Sequence, residues 1–467
     1  MKKTFFYLIA AVLLVFSGCT GPENGYRIVG NTIVFDAPER VEGQKSVLGL
    51  RTEPMEAVRV GFIGLGMRGP GAVKRFTYLD GVEIKALCDL LPDRVAKARK
   101  ILADRGWPEA AEYSGEDGWK ALCERNDIDL VYICTGWQKH VEMAVYAMRH
   151  GKHVAIEVPA ATSVKECWEL VDVAEQTQKH CMMLENCVYD FFEMTALNMA
   201  QQGLFGEILH AEGGYIHNLD EFWDRYQGNW RLAFNQEHKG DVYATHGLGP
   251  ACQVLDIHRG DRMTRLVSME TVSINGAAVA KKLMDADTFA NGDHTVTMIQ
   301  TARGRSILLQ HNVYTPRPYS REYQVTGTKG FANKYPSEGF AFSDTDPEKF
   351  GLADHEDLSG HSFVSEETRK MLMEKYRHPI TAEIEAKARE VGGHGGMDFI
   401  MDYRLVYCLR NGLPLDQDVY DAAEWSCIGD LSAASIENGN MPVEFPDFTR
   451  GDWNKTDGYR HAVAPVR

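Results

Sequence analysis

No run of lysine and arginine occurs anywhere in the 467 residues, and the formal charge is -16. A surface that tracks phosphates needs a basic patch, so nucleic acid is excluded as a partner. No CxxC spacing is present. Beyond Cys19 the cysteines are Cys88, Cys123, Cys134, Cys167, Cys181, Cys187, Cys252, Cys408 and Cys427. Their number is odd and most sit among apolar residues, which favours buried thiols over disulfides or a thiolate metal site. No H-E-x-x-H or similar ligand spacing occurs, so no catalytic metal is expected. Internal repeats, low-complexity tracts and a second long apolar run are also missing, which leaves an ordinary globular chain.

What is there fits that class. Hydrophobic residues make up 44% and charged residues 25%, enough apolar material for full cores in two to three domains. The first residues read as a leader. Lys2 and Lys3 precede an apolar stretch over 5–16 that is short for a bilayer span, followed by Ser17, Gly18 and Cys19. Small residues before a cysteine resemble a bacterial lipobox. The expectation is cleavage before Cys19, a lipid on that residue, and a mature chain held at the cell envelope. Membrane contact is expected only through that lipid.

Residues 20–56 are rich in Gly, Pro and Glu, with one apolar run at Thr32–Phe35, and read as a tether with one docked strand. From Val58 strands and helices alternate. Strands are expected at 58–65, 82–88, 130–135, 153–157 and 181–185, and helices at 92–105, 141–150 and 164–177. Ser163 and Glu166 supply a capping box to the last of these. Such alternation specifies a doubly wound parallel sheet, an α/β fold. Past Asn186 the rhythm breaks. A helix at 189–202 is followed by strands at 208–215, 266–274, 294–300, 306–312 and 322–327. No helices are expected between these strands, so the second half reads as α+β with a large, open, mainly antiparallel sheet. Helices are expected at 366–376, 397–410 and 419–437.

The segment VRVGFIGLGMRG at 58–69 places G-x-G-x-x-G at the end of a strand. Gly64 permits the turn, Gly66 lets the backbone approach a pyrophosphate, and Gly69 allows close helix–sheet packing. The diphosphate would sit at a helix N-terminus, where free N–H groups favour anions. Asp89 ends the next strand. A carboxylate there accepts from ribose hydroxyls and repels a 2′-phosphate, so the expected cofactor is NAD on a Rossmann domain. The expected division is leader 1–18, tether 19–56, NAD domain 57–186 and substrate domain 187–467. TGWQKH at 135–140 follows another strand at the carboxyl edge of the sheet. Trp137 can stack on the nicotinamide side and His140 can approach the ribose. Glu157-Val158-Pro159 follows the next strand in the same position.

These features resemble the Gfo/Idh/MocA oxidoreductases and, within them, glycoside hydrolase family 109, the NAD-dependent α-N-acetylgalactosaminidases. The segments that carry the resemblance are GLGMRG at 64–69, TGWQKH at 135–140, EVPAATSVKECWELV from Glu157, MLENCVY at 183–189, GGYIH at 213–217, NWR at 229–231, YATHGLGP at 243–250, RPYS at 317–320 and GGHGGMD at 392–398. The resemblance implies cofactor contacts from Gly64, Gly66, Met67, Arg68, Gly69, Asp89, Trp137, Gln138, His140, Glu157, Val158 and Asn186. It also implies a substrate pocket lined by Arg231, Tyr243 and Tyr319. Dehydrogenases of the wider family usually carry Glu-Lys-Pro. Val158 stands at the lysine position here, which points away from simple sugar dehydrogenation.

Conventional glycosidases place two carboxylates across the scissile bond. With 66 acidic residues in the chain, no such pair can be picked from sequence. Bound NAD offers another route: oxidation at C3, loss of the C2 proton, elimination of the C1 aglycone, addition of water and re-reduction. The route needs proton acceptors beside the sugar. Tyr243 and His246 share a face if a helix begins near Ala244. His246 is the candidate base for the sugar hydroxyl. Tyr215, at a strand end, is the candidate for the C2 or leaving-group proton. Together with Arg231 and Tyr319 these residues form the expected substrate site; His217 and His394 stay open. The expected function is hydrolysis of α-N-acetylgalactosaminides or related hexosides with recycled NAD. Net sugar oxidation and a non-catalytic NAD-bound sugar sensor are the alternatives. The open sheet suits a homodimer.

Overall fold

The computed structural model describes residues 25–353 and 357–465. The expected leader and the lipid-bearing Cys19 lie outside the described residues. Strands are numbered along the chain. The first sheet holds β3 (Val58–Ile63), β4 (Val82–Asp89), β5 (Ala111–Ser114), β6 (Leu130–Ile133), β7 (His153–Ile156) and β8 (Cys181–Met183). All are parallel, in the order β5-β4-β3-β6-β7-β8. Every residue of β6 and β7 is buried, as a sheet covered by helices on both faces requires. The order reverses beside β3, and the crevice outside the strands' carboxyl ends opens there. β5 was not expected. It is a four-residue edge strand with alternating exposure, so it carries little apolar signal.

The second sheet has ten strands. They are β1 (Tyr26–Val29), β2 (Thr32–Phe35), β9 (Ile208–Ile216), β10 (Met263–Glu270), β11 (Thr295–Thr301), β12 (Ser306–Asn312), β13 (Gln324–Gly327), β14 (Gly330–Asn333), β15 (Gly339–Phe342) and β16 (Val443–Glu444). Their order is β1-β2-β16-β10-β11-β12-β9-β13-β14-β15, antiparallel except for the β12–β9 and β16–β2 pairs. Alternation along β10 to β12 buries Leu266, Ile299, Ile307 and Leu309 and leaves Met269 and Met298 exposed on the other face.

Three differences from the sequence expectation matter. Helices Trp230–Glu237, Thr245–Val254 and Asn275–Met284 interrupt the strand series. The expected helix at 419–437 is two, Val419–Ser426 and Ile428–Glu437. The segment 25–56 is more than a tether with one strand. Its hairpin joins the large sheet through the β2–β16 pair. Arg40 and Gln44 then reach the buried Glu175 of the first domain at 2.7–3.0 Å.

The two halves are clamped together. Arg75 donates to Asp402 at 2.6 Å, and the Tyr132 hydroxyl donates to the other oxygen of that carboxylate at 2.9 Å. Asp402 lies in the helix Met397–Asn411, which packs against β3 and the helix Gly69–Phe76 of the NAD domain. The cysteines among the described residues are all free, and only Cys134 is not fully buried.

Candidate functional site

A cavity of about 920 Å³ opens between the halves. Its floor is the glycine turn. Gly64 has φ +90°, and a Cβ on it would lie 2.6 Å from the Cys134 carbonyl. A Cβ on Gly69 would lie 2.0 Å from the Gly64 oxygen. The helix Gly69–Phe76 starts without a side-chain cap and without acid in its first turn, so its leading N–H groups stay available to an anion. Asp89 is buried. Its carboxylate accepts from the backbone N–H of Leu65 at 2.6 Å and of Leu91 at 2.9 Å, which fixes the turn. These residues fit a dinucleotide: a side-chain-free cradle, a free helix N-terminus, and a carboxylate at the strand end.

The structure brings most of the remaining expected cofactor residues to this floor. Met67 is half exposed at the turn and lines the cavity. Arg68 lies 3.2 Å from Glu157 and 3.2 Å from Asp398, and so ties the turn to the second half. Asn186 donates to Asp398. Glu157, Val158 and Trp137 line the cavity. One residue differs from expectation. Gln138 is exposed and not part of the lining. His140 is fully buried, its ring nitrogens 2.8 Å from the Pro159 oxygen and 3.1 Å from the Thr135 oxygen. It is part of the cavity lining, and its neutral ring, with one N–H, donates to one of these two carbonyls.

Across the cavity sits the sugar-side cluster. Helix Thr245–Val254 lies directly on β9 because glycines face glycines: a Cβ on Gly247 would fall 2.0 Å from the Gly214 nitrogen, and one on Gly213 2.2 Å from the Gly247 oxygen. That close approach sets His246 beside Tyr215, ring centroids 5.4 Å apart. Tyr243 stands just before the helix. Its hydroxyl lies 3.4 Å from His246 Nε2, and its ring is 4.7 Å from that of Tyr215. Arg231 is 4% exposed, with its guanidinium carbon 4.5 Å from the Tyr243 ring centre and 5.0 Å from that of Trp137. It donates to the Tyr226 hydroxyl at 2.7 Å. Tyr319, 44% exposed, stands against His217 at 5.2 Å and is not itself part of the cavity lining.

Sequence reasoning missed Glu185. This carboxylate, at the carboxyl end of β8, is fully buried and accepts from His246 Nδ1 at 2.7 Å. Burial pushes its pKa up, but the imidazole beside it brings it below the usual carboxylate value. Glu185 lies within MLENCVY and at a strand end, a position that marks ligand sites. Among 66 acids that signal was too thin. His217, left open, is found 2.9 Å from the Tyr215 hydroxyl, and His394, also left open, lies 3.0 Å from Asp398. Glu185, Cys187 and His246 offer metal-ligand atoms within 4.8 Å of one another, a grouping that no linear spacing reveals. The Glu185 carboxylate also accepts from the Cys187 backbone N–H at 2.9 Å.

Electrostatics divide the cavity. Burial raises Tyr215 to about 12, against the lowering effect of Arg231, and pushes Tyr243 well above its usual value. Both phenols are therefore protonated at neutral pH. Burial, with Arg231 next, lowers His217 to about 4. The lining carboxylates are Asp89, Glu116, Asp117, Glu142 and Glu157, all on the first domain; the lining from the second domain contains none.

Fold and site together define an NAD-binding Rossmann protein with an open-sheet second domain. Residues 58–185 match the model described as an oxidoreductase family with an NAD-binding Rossmann fold. Residues 189–455 match the glycosyl hydrolase 109 C-terminal domain. The chain belongs to glycoside hydrolase family 109. A glycosyl hydrolase family 109 protein of Phocaeicola vulgatus is 62% identical over 467 residues, covering 99% of each chain. One of Porphyromonas gingivalis is 62% identical over 436 residues, covering 92% of this chain and 93% of its own. Among solved structures, a levoglucosan dehydrogenase in complex with NADH superposes with a TM-score of 0.62 at 19% identity, covering 84% of this chain and all of its own. At that identity the likeness is one of fold. The protein is an NAD-dependent glycoside hydrolase.

Proposed function

We propose that this enzyme cleaves α-N-acetylgalactosaminides or related hexosides by oxidation at C3, elimination across C1–C2, water addition and re-reduction. One observation carries the reading: the sugar side of the cavity offers tyrosine, histidine and arginine, and no carboxylate. A pair of acids across the bond, the usual glycosidase device, has no second-domain member there. NAD held on the glycine turn would supply the redox step at C3 and end as it began.

The chain's own groups cover the rest. His246 takes the proton of the sugar hydroxyl, and the Glu185 carboxylate stabilises the imidazolium that results, as in other carboxylate–histidine pairs. Tyr215 faces the C2 proton. Arg231, buried among aromatic rings, opposes the negative charge that builds up on the enolate. Tyr243 and Trp137 wall the ring of the sugar.

The test uses purified protein with an aryl α-N-acetylgalactosaminide and no added NAD. Phenol release without net NADH absorbance, and solvent deuterium at C2 of the product, are the expected results. Stoichiometric NADH would mean net oxidation, and neither signal would mean a sensor. We also propose a lipid on Cys19 and a cell-envelope location, tested by mass spectrometry of the mature N-terminus. A homodimer through the open sheet face is supported by the apolar row Val267, Met298 and Leu308 across β10 to β12. Light scattering tests it; a monomer at micromolar concentration would refute it.

A further inference from the structure

A bound dinucleotide has two ways out of the crevice. Parting the halves is one, and the clamp of Arg75 and Tyr132 on Asp402 opposes it. The opening of the cavity is the other. At its cofactor end a segment of the second domain, residues 219–230, crosses to the first domain. The segment is pinned near its start: the Leu219 N–H donates to the Val313 oxygen at 3.0 Å, and Trp223 stacks on Tyr314 at 5.7 Å. It is pinned again near its end. The Tyr226 hydroxyl accepts from Arg231, the Asn229 side chain donates to the Leu283 oxygen at 3.3 Å, and Trp230 meets Trp137 edge-on at 5.2 Å. Gly228 and Asn229 turn the chain in the left-handed region, at φ +67° and +54°. The turn presents the exposed Gln227 to the first domain, where its side-chain oxygen accepts from Arg94 Nη2.

Arg94 stands on the cofactor floor. It lies in the first turn of the helix Pro92–Asp104, which follows β4. Its Nη1 is 3.6 Å from an Asp89 oxygen and 3.1 Å from the point where a Cβ on Gly66 would fall. Gly66, Asp89, Arg94 and Gln227 line one cavity. The Gln227–Arg94 contact therefore joins the two domains beside the glycine turn. We propose that Gln227 is a positioning residue that latches residues 226–230 over the NAD cradle through Arg94, so that the cofactor enters and leaves only when the latch lifts. The guanidinium donor makes the bond charge-assisted and stronger than a neutral pair. Gln227 and Gly228 are exposed, so lifting them breaks that bond and uncovers little buried surface. Such retention suits an enzyme that ends each turnover with the cofactor it began with. The inference rests on NAD binding at the glycine turn and is independent of the order of steps at the sugar.

Two measurements on the NAD-loaded enzyme test the latch. Exchange of bound NAD for the fluorescent analogue etheno-NAD gives the release rate, and equilibrium dialysis against NAD gives the dissociation constant. In Gln227→Ala release is expected to quicken about 10-fold. The dissociation constant is expected to move by less than about 3-fold, because a latch slows entry and release alike. Arg94→Ala should release NAD at least as fast, and adding Gln227→Ala to it should change release no further. Unchanged release in Gln227→Ala overturns the proposal. A dissociation constant that rises as much as the release rate also overturns it, since Gln227 would then be a plain contact to the cofactor. A further gain in the double variant would mean that Gln227 acts through a partner other than Arg94, and overturns it as well.

Discussion

At the scale of single residues the site depends on groups whose partners are far away in sequence. Glu185 and His246 are separated by 61 positions and meet at 2.7 Å. Replacing Glu185 by Gln keeps the shape but removes the charge that stabilises the imidazolium. The expected outcome is a fall in kcat of about 100-fold with little change in KM and unchanged NAD content. Steady-state kinetics and cofactor absorbance check it. Gly69→Ala is a sharper case. The added methyl would fall 2.0 Å from the Gly64 oxygen, and only backbone movement can relieve it. Purified Gly69→Ala should retain almost no NAD and melt at a lower temperature. The glycines and Asp89 were legible because a fixed spacing after a strand carries the chemistry. Glu185 was not, because burial and a partner distant in sequence define it.

At the scale of elements the parallel sheet could be read almost strand by strand, since β6 is apolar throughout, β7 is apolar after His153, and both are fully buried. The edge strand β5 and the short β14 and β15 could not. Each is four residues long, and β14 and β15 owe their place to sheet neighbours rather than to pattern. The helix Thr245–Val254 was seen only through Tyr243 and His246, because Gly247, Gly249 and Pro250 hide its periodicity. The N-terminal arm was under-read most. Its hold on the NAD domain centres on Glu175, which accepts from Arg40, Gln44, Tyr420 and Arg450. Glu175→Ala leaves two guanidinium groups facing a gap. The expected cost is about 3 kcal/mol, read by chemical denaturation. Arg40→Ala, at the more exposed end of the cluster, should cost less.

For the whole molecule, acid is the weak side. His378 and His461 face each other with ring centroids 4.6 Å apart. Burial lowers them from 6.5 to about 3 and about 4. His153 and His180 form a second buried pair, at about 3 and about 4. The unfolded chain protonates these rings first as pH falls, so the stability these two pairs contribute is full above pH 6.5 and is lost toward pH 4. Thermal unfolding should show that decline, and His461→Gln should make it shallower. A midpoint independent of pH over this range would contradict it.

The clamp between the halves has a dynamic consequence. Parting them hinge-fashion would strip Arg75 from Asp402 and leave both uncompensated away from water, a penalty of several kcal/mol. The mouth near Phe222, Arg225 and Gln227 is already open to solvent. Substrate therefore enters by this open mouth while the two halves stay locked, and a covalent cross-link between them should leave the turnover number intact.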